Sequence, residues 1–455
     1  MKRLIILILV ASFTSFAGYS QPQSLQFDKT KLDAYFNTLA SNNRFMGSVA
    51  VSHNGRLIYT KSVGYLDIEH EAKANEKSKY IIASISKTFT SVLIFRAIEE
   101  NKLMLEQTID KFFPAMSNAN KITIGHLLYH RSGIPDYLGA LYVTEERTKT
   151  KTENEMIEIM NNLESDFEPD TKTKYSNSNF ILLTYILERV YQKSFAEIIR
   201  ENIVKPASLN DTYLGKKINS KDNECYSYNY WEGKWHLDLE TNISILLGAG
   251  GIISTPIDLT KFSDALFNEK LISLKSLEQM KTIKDRCEIL KLELGMGLIL
   301  MPFEGNTGYG HLGGIDGFRS IFAHFPGKNI SIACISNSSC NNYLEIATVF
   351  LKAIFNRPFE IPEYKPFQRF NITDEDLNKY LGIYSNSQIP LDIAITKNNG
   401  KLFGQATGQS SFPLEATEQD KFRFEPAGII IEFNPTDNTM VLKQSGGVFN
   451  FVKKD

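Results

Sequence analysis

The sequence predicts an α+β fold: an antiparallel sheet flanked by helices, a helical subdomain inserted into it, and a small C-terminal all-β domain. Three observations predict it. Asn54-Gly55 between two β-rich runs marks a hairpin near the N-terminus, the strongest short-range hairpin signal. Strand character then lapses over a helical, loop-rich stretch at 120–250 and returns near residue 318. Beyond Pro358, Pro362 and Pro366, short alternating apolar runs follow one another with turn residues between them. Strands at both ends of an insertion are expected to share one sheet, since each alone leaves a face uncovered.

Taken in order, residues 1–20 read as a secretory signal peptide. Lys2 and Arg3 precede the apolar run from Leu4 to Val10, and small and polar residues follow to Ser20. The run is too short for a comfortable membrane span, so no stable span is expected after its removal, and the chain is expected in the periplasm or secreted. Leu32, Tyr35, Phe36 and Leu39 recur at helical spacing within 28–43. The hairpin pairs a run starting at Ser48 with one starting at Arg56, and a long helix is expected from about 84 to 101. Runs at 318–325 and 330–336, joined by Pro326-Gly-Lys-Asn329, form a second hairpin, and a helix at 343–356 closes the unit. The expected organisation is a main domain at 21–357, a linker at 358–371 and a small β domain at 372–455.

Composition excludes several functions. With 42% hydrophobic residues and a formal charge of −2, intrinsic disorder is disfavoured. Lys and Arg number 50 against 52 Asp and Glu, so no basic excess exists to neutralise nucleic-acid phosphates. The four cysteines (Cys225, Cys287, Cys334 and Cys340) match no zinc spacing; Cys334 reads as a core thiol, with a Cys334–Cys340 bridge as the one alternative. Gly308-Tyr-Gly310-His-Leu-Gly313 has the spacing of a dinucleotide loop, but strand-like residues follow it where a helix is required. His126 and His130 stand four apart without a third metal ligand and read as structural histidines. Tyr226, Tyr228, Tyr230, Trp231 and Trp235 either line a cleft or cover the core.

Three short motifs carry the chemistry. Ser84-Ile-Ser-Lys87 stands where the long helix begins, and a spacing of three puts the hydroxyl and the amine on one face. A serine hydroxyl needs a nearby base, and a buried lysine with a lowered pKa can be one. Tyr175-Ser-Asn177 supplies a phenol able to move protons and an amide able to orient Lys87 and a substrate carbonyl. Tyr35-Phe-Asn37 and Tyr384-Ser-Asn386 share its spacing but fall in an amphipathic helix and beyond the linker. His311-Leu-Gly313 precedes Gly314 and a strand that can wall a cleft. The Gly314 N–H, with that of Ser84, can form an oxyanion hole.

In this order the set resembles the serine β-lactamase and penicillin-binding protein superfamily, nearest to class C β-lactamases, related DD-carboxypeptidases and their esterase relatives. Segments 122–135, 206–212 and 250–259 are also similar to that group. The resemblance implies a β-lactamase/transpeptidase-like fold and an acyl-enzyme formed on Ser84. Lys87 would be its proton partner and Tyr175 the general base and leaving-group acid, with Asn177, His311 and Gly313 binding substrate. No metal or organic cofactor is implied; the partner is a small-molecule or peptide substrate, and the oligomeric state stays open. His311-Leu312 replaces the usual Lys-Thr, which weakens carboxylate recognition and favours an esterase or DD-/D-amino-peptidase. A true β-lactamase, or an inactive binding or sensor protein, are the alternatives. Asp170 stands where a glycine is usual before the tyrosine motif.

Overall fold

The computed structural model describes residues 25–142, 145–231, 233–287, 290–339, 343–364, 370–386, 391–407, 411–424, 428–444 and 447–454. The predicted leader and Cys340 lie outside them, and with Cys340 the bridge to Cys334.

An eight-stranded antiparallel sheet forms the middle layer. Its order is Asp285–Cys287, Leu292–Leu294, Ile299–Leu300, Tyr309–Ile315, Phe318–Phe325, Ile330–Ser336, Gly47–His53 and Arg56–Val63. The two predicted hairpins are joined by pairing Gly47 with Ser336 through to His53 with Ile330. Asn54 and Gly55 have φ of 53° and 70° at the first turn, the conformation that matches strand twist there. The strand Ile330–Ser336 is buried along its whole length, because both sheet faces are covered. On one face Val49, Val51, Ile332 and Cys334 pack with Leu32 and Phe36 of the helix Lys29–Ser41 and with Phe350 of the helix Tyr343–Ile354. On the other, Phe322, Ala333 and Ile335 join the core of the helical unit.

The long helix is Ser86–Glu99, preceded by a short 3-10 turn at Ala83–Ile85. Nearly every residue of it is buried, and Phe89 stacks on Phe262 at 3.8 Å, because it runs between sheet and helical unit. One sequence feature differs in the structure. The His311-Leu-Gly313 motif lies inside the strand Tyr309–Ile315 rather than ahead of a strand. Its glycines lower β propensity and hide it from pattern reading. A buried Ser–His–Asp set lies between the sheet and the helix Pro256–Phe267, where Asp264 accepts from Ser331 at 2.6 Å and His324 meets the same serine at 2.8 Å. The carboxylate grips the serine rather than the imidazole, so the relay of a catalytic triad is absent.

Past the main unit, Phe359 packs edge-on against Tyr35 and its carbonyl accepts from Lys31 at 2.5 Å, so the proline-rich segment lies against the first helix. The C-terminal strands form a closed eight-stranded barrel from Gly382–Ser385 to Gly447–Lys453, shut by Tyr384 opposite Lys453. Alternation puts Ile393, Ile395, Leu402, Phe422, Ile431 and Phe451 inside. Tyr384 is part of that core, and Tyr35 belongs to the core beside the first helix, which accounts for both spare Tyr-x-Asn matches.

Candidate active site

Ser84 sits on the 3-10 turn whose first residue, Ala83, has φ of 48°. A side chain in that region costs about 1 kcal/mol or more, so the surroundings must hold it. They do: Ile82 N–H donates to Ile252 O at 2.9 Å, Ser320 Oγ donates to Ile82 O at 2.7 Å, and Ile252 N–H donates to Ser86 Oγ at 3.1 Å. The turn is clamped between two strands with Ser84 half-buried at its apex.

One helical turn on, Lys87 is fully buried. Its Nζ lies 3.1 Å from Ser84 Oγ, 2.7 Å from Asn177 Oδ1 and 2.6 Å from Ala249 O. The helix Ile243–Gly250 presents that last carbonyl past a break at Leu247, whose φ and ψ are 31° and −128°. Burial pushes the lysine pKa from 10.5 down to about 7, against an opposing pull from Asp136. Asn177 and Ala249 offer only acceptors to Nζ, so they use two N–H bonds. In the neutral amine the lone pair is then left facing the Ser84 hydroxyl.

Tyr175 is hydrogen-bonded to Ser84, and Lys87 Nζ lies 4.9 Å above its ring. Burial raises the phenol well above its ordinary value despite the serine contact, so the resting group is neutral. Beneath the phenol lies His130, its ring 4.3 Å away and nearly parallel, with Nδ1 accepting from the Ser176 N–H at 3.1 Å. His130 is thus the floor under Tyr175, while His126 closes a capping box with Thr123.

His311 is buried on the facing strand, 6.4 Å from the Tyr175 ring. Its Nδ1 meets Leu312 O at 2.6 Å, and a carbonyl can only accept, so Nδ1 carries the proton. Burial and the Lys87 charge hold its pKa down at about 3. His311 is therefore neutral at pH 7, with Nε2 as an acceptor.

Gly313 and Gly314 differ. A Cβ on Gly313 would lie 2.2 Å from Ser320 Oγ and 2.4 Å from Ile82 O, so a side chain there would push the strand off the turn that carries Ser84. On Gly314 it would only touch Arg319 at 3.6 Å. Gly313→Ala is expected to cost about 1–3 kcal/mol and most of the Ser84 reactivity, whereas Gly314→Ala keeps both. Thermal melts with Ser84 labelling rates measure this, and equal behaviour of the two variants would contradict it.

The structure brings Ser84, Lys87, Tyr175, Asn177 and His311 together. Sequence reading missed Asp136, whose carboxylate accepts from Asn177, and the Ala249 carbonyl. Asp136 directly follows the segment at 122–135, so proximity to that segment was the available signal. Asp170 has φ of 64°, the region that favours glycine, and its Oδ1 accepts from Arg131 Nε at 2.6 Å. Of the aromatic run, Tyr230 and Trp235 border a groove of about 880 Å³ with Asn43 and Tyr364. Among the described residues no helix is long and apolar enough to cross a membrane.

The family model described as Beta-lactamase matches residues 32–347. The chain is 26% identical over 430 residues to "Penicillin-binding protein 4*" of Bacillus subtilis (strain 168), covering 90% of this chain and 94% of that one. It is 28% identical over 255 residues to a teichoic acid D-alanine hydrolase of Staphylococcus aureus (strain MRSA252), covering 54% and 59%. In fold it is similar to a D-amino acid amidase from Ochrobactrum anthropi SV3, with a TM-score of 0.65 and 24% identity over 72% of this chain and 99% of that one. An octameric penicillin-binding protein homologue from Pyrococcus abyssi has the same score and identity over 94% of this chain and 100% of that one.

Proposed function

This chain belongs to the beta-lactamase family, and from that premise we propose that it is an exported serine hydrolase opening an ester or amide through an acyl-enzyme on Ser84. One observation carries the reading: Lys87 is buried with two carbonyl acceptors, which aims the lone pair of its neutral form at Ser84 Oγ, 3.1 Å away.

Lys87 takes the Ser84 proton as the oxygen attacks the carbonyl carbon. The N–H groups of Ser84 and Gly314 receive the oxyanion. Tyr175, neutral at rest, passes its proton to the leaving group and regains one from the Lys87 ammonium. Water then enters by the reverse relay and frees the acyl group.

The substrate preference follows from His311. A neutral imidazole whose free nitrogen accepts gives no cation for a substrate carboxylate, but suits an N–H or ammonium donor. Similar chains named a teichoic acid D-alanine hydrolase and a D-amino acid amidase support an acyl group bearing an amine. Activity of the esterase or D-amino-peptidase type is thus preferred over β-lactam or carboxylate-terminated peptide hydrolysis. Export rests on the leader at 1–20.

The test is a panel of p-nitrophenyl esters, D-amino-acid amides and nitrocefin. Esters and amides are expected to be turned over with kcat/KM at least about tenfold above nitrocefin. Rapid nitrocefin turnover would overturn the preference. An acyl adduct that forms and never clears would support a binding or sensor protein instead.

A further inference from the structure

The loop ahead of the helix Tyr137–Tyr142 carries a carboxylate with an unusual set of partners. Asp136 Oδ1 accepts from the Asn177 backbone N–H at 3.3 Å and from Asn177 Nδ2 at 3.2 Å, and Oδ2 lies 3.0 Å from the same Nδ2. The Leu138 N–H also donates to Oδ1, at 3.2 Å, tying the carboxylate to its own loop. Asn177 is the first residue of the helix Asn177–Tyr191, whose own N-cap, Ser176, makes no side-chain capping bond. Asp136 therefore caps that helix from a segment 41 residues away in sequence.

The contact also decides which end of the Asn177 amide faces which neighbour. A carboxylate can only accept, so Nδ2 must turn to Asp136. Oδ1 is then left pointing at Lys87 Nζ, 2.7 Å away. With the amide reversed, two N–H groups would face the amine, and the lone pair would be drawn off Ser84. Bonds between the two segments make the arrangement rigid: Ser132 Oγ donates to Asn179 Oδ1 at 2.6 Å, Ser178 Oγ donates to Pro135 O at 2.5 Å, and the Tyr137 N–H donates to Ser178 Oγ at 3.2 Å.

We propose that Asp136 is a positioning residue: it sets the orientation of the Asn177 amide and thereby aims Lys87 at Ser84. It touches neither Ser84 nor the reacting carbonyl, and acts through Asn177. Its negative charge is also the one that favours protonation of Lys87 against burial. The other groups facing Lys87 are the phenol of Tyr175 and the imidazoles of His130 and His311, all neutral near pH 7. Asp136 is thus the source of charge that a substitution can remove without altering the reacting groups.

This inference rests on Lys87 acting as the base, and two readouts separate the two ideas. The first is the rate of Ser84 phosphonylation by a fluorophosphonate probe as a function of pH. In Asp136→Asn the plateau rate is expected to fall about 10- to 100-fold, because an amide partner no longer dictates which end of Asn177 it meets. The acid limb is expected to move about one pH unit lower, as the lysine loses its neighbouring anion. Combined with Asn177→Ala, Asp136→Asn should add little further loss in plateau rate, since its route of action is already gone.

The second readout needs no reactivity: NMR titration of the ¹³Cε-labelled lysines follows Lys87 directly, identified by loss of its signal in Lys87→Met. A lower midpoint in Asp136→Asn than in the parent supports the inference even if the probe fails to label. A failure to label would count against the hydrolase reading alone. The inference is overturned if the Lys87 midpoint is the same in both proteins, or if the two substitutions multiply fully in rate. An equal melting temperature for Asp136→Asn and the parent keeps lost folding from imitating either result.

Discussion

Replacing Ser84 with alanine is expected to lower kcat/KM by about 10⁴- to 10⁶-fold while leaving the fold intact. The chemistry is lost because among the described residues no other hydroxyl is placed against a buried amine in this way: Ser86 is already bound to the Ile252 N–H. The fold survives because the hydroxyl is half-buried, and its removal exposes no new cavity in the sheet or helical core. Stability should change by no more than about 1 kcal/mol. Intact-protein mass spectrometry after a fluorophosphonate pulse reads the result. Equal labelling of the variant would place the nucleophile elsewhere.

Lys87→Met is expected to be as damaging to activity, at about 10³-fold or more, and to change stability in a pH-dependent way. In the folded protein Lys87 gives up its proton near pH 7, whereas an unfolded lysine does so near 10.5. Between these values the unfolded chain binds the extra proton, so the folded state is penalised more and more as pH falls from 10.5 to 7. Below that the penalty is complete, on the order of 5 kcal/mol. Methionine removes it but strands the Asn177 and Ala249 oxygens, at about 1–3 kcal/mol each. Relative to the parent, the variant's stability should therefore rise by about 4 kcal/mol between pH 10 and pH 6. Urea unfolding at the two values checks this, and parallel pH dependence would show that Lys87 is not charged at a cost. By the same titration the parent's kcat/KM should rise about tenfold per unit up to roughly pH 7 and then level off. His311 and His130, both held below their usual range, add no step there.

Much of the architecture was legible because it is written in local patterns. The Asn54-Gly55 turn, the apolar spacing of Leu32, Tyr35, Phe36 and Leu39, and the alternating C-terminal runs each report their own element. Each is decided by neighbours in sequence. The strand carrying His311 was harder to see, since three glycines in Tyr309–Ile315 mute the pattern. Those glycines answer to an approach made in space: Gly313 has Ile82 O beside it, and Gly310 has Phe322 O 1.9 Å from where a Cβ would stand. Asp170 likewise reads as a mismatch until its left-handed backbone and its bond to Arg131 are seen together.

The sequence by itself determined which groups could do the chemistry: Ser84 and Lys87 one turn apart, Tyr175 and Asn177 on a second segment, His311 on a third. Tertiary structure alone decided their protonation states. Desolvation and the placement of acceptors depend on what is packed around a group, not on what adjoins it in the chain. Burial lowers the pKa of Lys87 and keeps Tyr175 a phenol, and the Leu312 carbonyl fixes the proton of His311 on Nδ1. Asp136, absent from every motif, meets Asn177 only because two loops far apart in sequence are stitched together at the head of one helix.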